Sequence, residues 1–74
     1  MTDEEAKAIV DAAMSRVNPQ WRGRRRSPSG VGVKIIRRGD VFDVALAHPG
    51  RLYAEYAAAI QDDLGGNLGK VWLA

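Results

Sequence analysis

Between Val31 and Ala47 the chain reads VGVKIIRRGDVFDVALA, and this stretch constrains the fold more than any other. Two runs rich in β-branched and apolar residues meet at Gly39-Asp40. Glycine at the first position of a two-residue loop suits a type II′ hairpin turn. A turn placed there pairs Arg38 with Val41, Ile36 with Asp43, Ile35 with Val44 and Val33 with Leu46. Side chains alternate across a strand, so Val33, Ile35, Phe42, Val44 and Leu46 fall on one face in this register. Lys34, Ile36, Arg38, Asp43 and Ala45 fall on the other. A slip of one residue would mix the two sets.

A hairpin with one apolar face needs a cover, and the flanking sequence supplies two helices. Thr2-Asp3-Glu4-Glu5 fits a capping box, and its three acids suit the positive end of a helix dipole. Ala6, Ile9, Val10, Ala13 and Val17 then form one apolar stripe at helical spacing. Asn18-Pro19 ends that helix, because proline disfavours helical geometry in the residue before it. After the hairpin, His48-Pro49-Gly50 opens a second helix, with proline at its first position. Tyr53, Tyr56, Ala57, Ile60 and Leu64 form its stripe, and Gly65-Gly66 stops it. The closing GKVWLA reads as a strand, with Val71 and Leu73 facing one way and Trp72 the other.

The order is α-β-β-α-β. The expected fold is α+β: a small two-layer sandwich, with both helices on one face of a three-stranded sheet. The last strand should run parallel to the second through a right-handed crossover. The sheet face away from the helices would show Lys34, Ile36, Arg38, Lys70 and Trp72.

The 74 residues form one expected domain, 1–74, with a basic loop at 20–30 and no cysteine to staple it. No apolar run approaches the roughly 20 residues of a membrane span, and no signal-peptide core is visible. The expectation is a soluble, cytoplasmic protein without a membrane partner.

Charge is distributed unevenly. Arg16, Arg22, Arg24, Arg25, Arg26, Lys34, Arg37 and Arg38 occupy residues 16–38 with no acid among them. Acids dominate both flanks. Within WRGRRRSPSG, Arg22, Arg24, Arg25 and Arg26 can pair with phosphates, and Trp21 offers a stacking platform. The plain alternative is a solvated loop. On the uncovered face, Trp72 beside Lys34 and Lys70 could stack a base, form a homodimer contact, or fold under the chain end as core. Asp62 and Asp63 end the second helix, where its dipole disfavours them, so internal pairing with an arginine of the basic loop is expected.

Chemistry is sparse. Asp40 and Asp43 lack a third metal ligand at suitable spacing, so neither metal nor cofactor is expected. His48 is the only histidine, and Ser15, Ser27 and Ser29 sit in no nucleophile motif. GGNLGKV departs from a phosphate-binding loop, because Val71 replaces Ser or Thr and a strand follows instead of a helix. VALAHPG followed by a helix resembles the tail of HicA-type mRNA-cleaving toxins, which are small α/β proteins. The resemblance covers His48-Pro49-Gly50 and the helix after it. That family's Gly-Ser-His segment is absent here, so no catalytic residue carries over.

The leading expectation is a non-enzymatic binding module. It contacts nucleic acid, or a nucleoprotein complex, through Trp21, Arg22, Arg24, Arg25, Arg26, Lys34, Arg37, Arg38, Lys70 and Trp72. The alternative is a protein-directed inhibitor or assembly factor of the kind phages and mobile elements encode, anti-CRISPR proteins among them. A small ribonuclease toxin is the third reading.

Overall fold

The computed structural model describes residues 1–21 and 30–74. Helix α1 spans Asp3–Val17, strand β1 Gly32–Arg38 and strand β2 Val41–Ala47. A 3-10 turn at Gly50–Leu52 leads into helix α2, Tyr53–Leu64. A second 3-10 turn at Gly65–Asn67 leads into strand β3, Leu68–Leu73. The order is the expected α-β-β-α-β.

Local chemistry sets the helix ends. The Thr2 hydroxyl accepts the Glu5 amide at 3.1 Å, and the Glu5 carboxylate accepts the Thr2 amide at 2.7 Å. That second bond, from the Thr2 backbone, holds the Glu5 carboxyl below its ordinary range. At the other end, Asn18 accepts the Gln20 amide and donates to the Tyr56 hydroxyl, each at 3.0 Å. The point where α1 stops is therefore fastened to α2. Arg16 reaches Asp63 at 2.9 Å, so the acid at the end of α2 takes its partner from α1.

The hairpin has the expected register, Arg38↔Val41 through Gly32↔Ala47. Gly39 has φ +63° and Asp40 keeps a negative φ, as a type II′ turn requires. Strand β2 is central: β1 flanks it antiparallel and β3 flanks it parallel. One sheet face packs on both helices. Val44 and Leu46 meet Val10, Met14, Tyr56, Ile60 and Leu64 in a single core, with Val33, Ile35 and Val71 at its margin.

Helix α2 begins later than the sequence suggests. His48 has φ +57° and Gly50 has φ +62°, so the chain turns sharply twice before helical geometry starts. Pro49 caps the 3-10 turn and does not begin the α-helix. His48 is the only described non-glycine residue in this left-handed region. An L-residue there costs about 1–2 kcal/mol, which glycine avoids. His48→Gly is therefore expected to stabilise the protein by about 1 kcal/mol in urea unfolding. A loss of stability would show that the imidazole makes a contact stronger than the strain.

Candidate functional site

The helices leave one side of the sheet uncovered, and the register sorts its residues into rows. In the middle row Lys34 pairs with Ala45, and Ala45 pairs with Trp72. Toward one end, Gly32 pairs with Ala47, and the Ala74 amide donates to the Leu46 carbonyl at 2.8 Å. Toward the hairpin turn, Ile36 pairs with Asp43. The small residues make that first end concave. Gly32, Val33, Lys34, Ala45, Ala47 and Ala74 line a shallow depression of about 290 Å³.

Trp72 is half-buried on this face, and the Lys70 ammonium lies 5.1 Å from its ring centroid. Lys34 is exposed at the opposite end of the same row. Among the described residues neither lysine is in an ion pair. Ile36 is 39% exposed. Val71, on the next row, turns to the core instead. Leu73 follows Val71 in direction but runs past the core and is 62% exposed.

Asp43 occupies this face without being open to solvent. Its side chain is 6% exposed, and three donors converge on it. Arg38 Nε donates at 2.8 Å and Arg38 Nη2 at 3.2 Å, while the Lys70 amide donates at 3.1 Å. The third bond has a topological cause. Phe42 pairs with Leu68 and Val44 with Val71, so β3 carries one extra residue and bulges beside Asp43. The carboxylate supplies the acceptor that the interrupted ladder leaves out. Gly69 lies under it, where a Cβ would collide with Asp43 Oδ1. Asp43 thus clamps β1 and β3 to β2. Among the described residues no group of three metal-ligating side chains assembles.

The Arg38 guanidinium, first by hydrogen bonding, holds the Asp43 carboxyl below its ordinary range, against the opposing effect of burial. A depressed folded pKa adds stability above the unfolded carboxyl range and loses it as pH falls through the folded value. Asp43→Asn should therefore unfold more readily than the native protein at pH 7. That gap should narrow below about pH 4, the ordinary aspartate range. Urea unfolding across pH 2–7 measures it, and a gap independent of pH would deny the clamp its charge.

Three expected contact residues have other employment. Trp21 is 5% exposed and belongs to the core, so its ring is not an open stacking platform. Burial of a large aromatic surface outweighs its polar sequence neighbourhood. Arg37 lies on the helix side with Phe42, its guanidinium 4.6 Å from that ring centroid. It donates to Asp3 at 2.8 Å and to the Met1 carbonyl at 2.7 Å, which joins the start of α1 to the sheet. Arg38, although largely exposed, is engaged by Asp43. Lys34, Lys70 and Trp72 do share the uncovered face. Arg22, Arg24, Arg25 and Arg26 lie outside the described residues.

Sequence reasoning missed the Asp43 clamp. Its signals were an acid in an otherwise apolar central strand and a glycine inside the last strand. His48 is exposed at the end of β2 and makes no side-chain hydrogen bond or ion pair among the described residues. No helix of the described residues is long and apolar enough to cross a membrane. In comparisons with protein-family models, curated proteins and solved structures the chain matches none.

Proposed function

We propose that the protein is a non-enzymatic binding module for nucleic acid, working in the cytoplasm through the uncovered sheet face and the basic segment Arg22 to Arg26. One observation carries this reading: charge is segregated by layer. Seven acids lie on the helices, at Asp3, Glu4, Glu5, Asp11, Glu55, Asp62 and Asp63, against two cations, Lys7 and Arg16. The uncovered face carries Lys34 and Lys70, and the acid there, Asp43, is buried and paired with Arg38. A polyanion is repelled by the first layer and attracted by the second. The four arginines of residues 22–26 fall in sequence between α1 and β1 and add four positive charges to the chain.

The test is a titration of the full chain against random-sequence oligonucleotides at several salt concentrations. Binding that weakens linearly in log–log form as salt rises supports the reading. No binding at low salt removes it. A protein-directed inhibitor or assembly factor is the competing reading, favoured by the exposed Ile36 and by the apolar depression toward the other end of the same face. Affinity for a protein partner would depend on a few central anchors, and salt would act mainly on its on-rate.

A further inference from the structure

Resting on that reading, we infer that the uncovered face takes single-stranded nucleic acid, with the Trp72 ring stacking a base while Lys34 and Lys70 hold the flanking phosphates. The row geometry leads there. Lys34, Ala45 and Trp72 lie side by side across three strands. Adjacent strands sit about 4.8 Å apart, so roughly 10 Å separates the outer two backbones. Ala45, between them, is too small to fill the gap. The row is therefore a shallow trough with an aromatic wall on one side and a cation on the other. It opens at one end into the depression floored by Gly32, Ala45 and Ala47.

The contact between Lys70 and Trp72 indicates what the ring can exchange. A base stacked on an aromatic side chain is held more strongly than an ammonium in an exposed cation–aromatic pair. A base can thus displace the ammonium from the ring, and the released ammonium then meets the phosphate beside that base. A duplex offers no such exchange, because its bases are already stacked and its outer surface is backbone. The hairpin does not suit a duplex groove either, since the turn carries Asp40 at its tip. Shape selects the strand over the acidic helix face of a second copy, which is also complementary in charge: a trough roughly 10 Å across with an aromatic wall fits a thin polyanion that carries planar groups.

The test measures affinity of the full chain for a fluorescently labelled random single strand and for the same sequence as a duplex. Tighter binding to the single strand is expected. Trp72→Ala should lower single-strand affinity by roughly 5- to 150-fold, the range expected for one lost stacking contact, and leave duplex affinity nearly unchanged. Trp72→Leu keeps apolar bulk without a π face and should give the same loss, which guards against an alanine variant that fails to fold. Equal or tighter duplex binding would overturn the inference and leave the nucleic-acid reading standing. So would folded Trp72→Leu with undiminished single-strand affinity. Binding to neither oligonucleotide at low salt would overturn both. Sedimentation as a dimer that Trp72→Leu converts to a monomer would assign the face to a second copy and end the inference.

Discussion

Replacing Arg22, Arg24, Arg25 and Arg26 together with alanine is expected to flatten the salt dependence of nucleic-acid binding and leave the fold standing. Each neutralised phosphate releases condensed counterions, with a log–log slope near −0.9 per contact on duplex DNA and −0.7 on a single strand. Four contacts therefore account for a slope of roughly −3 to −4. Between 50 and 200 mM salt the native protein should lose about 50- to 150-fold more affinity than the variant. Lys34 and Lys70 remain in the variant, so weak binding with a shallow slope should persist. Arginine side chains seldom supply core packing, so the unfolding midpoint should move little. An unchanged slope would show that these side chains are solvated and that the sheet face alone carries whatever binding is seen.

The parts of the fold that follow short-range rules were legible in the sequence. The hairpin register follows from a period of two and one turn glycine, and every expected pair is present. Thr2 and Glu5 announce the start of α1 because a capping box is local chemistry. Gly65, at φ +55°, stops α2 for the same kind of reason. The same alternation that orders the hairpin also places Arg37 beside Phe42, away from the open face. Its removal from the contact surface was thus implicit in the register.

What stayed hidden depends on contacts distant in sequence. The burial of Asp43 requires β3 to bulge against it, across a separation that no local pattern spans. The late start of α2 depends on two consecutive reversals, at His48 and Gly50, and His48 enters the left-handed region only because the surrounding fold demands it. Trp21 is the clearest case. Its neighbours in sequence are arginines, while its neighbours in space are the core.

Trp21 also gives the largest expected loss of stability. Its side chain closes the core next to the point where α1 ends, and its amide donates to the Asn18 carbonyl at 2.9 Å. Truncating a buried aromatic to alanine costs about 3–5 kcal/mol. A domain of 74 residues has a total stability of about 4–11 kcal/mol. Trp21→Ala should accordingly be marginal or unfolded at 25 °C, with a lost or strongly shifted urea transition. Trp21→Phe should behave very differently. The indole Nε1–H is buried and has no hydrogen-bond acceptor among the described residues. An unsatisfied buried donor costs about 1–3 kcal/mol, and phenylalanine removes it while keeping most of the ring. The two effects oppose each other, so Trp21→Phe should stay within about 1 kcal/mol of the native protein. It should also keep its single-strand affinity, because the ring faces the core and not the solvent. A folded Trp21→Phe that lost affinity as Trp72→Leu does would place Trp21 on the contact surface and overturn its assignment to the core.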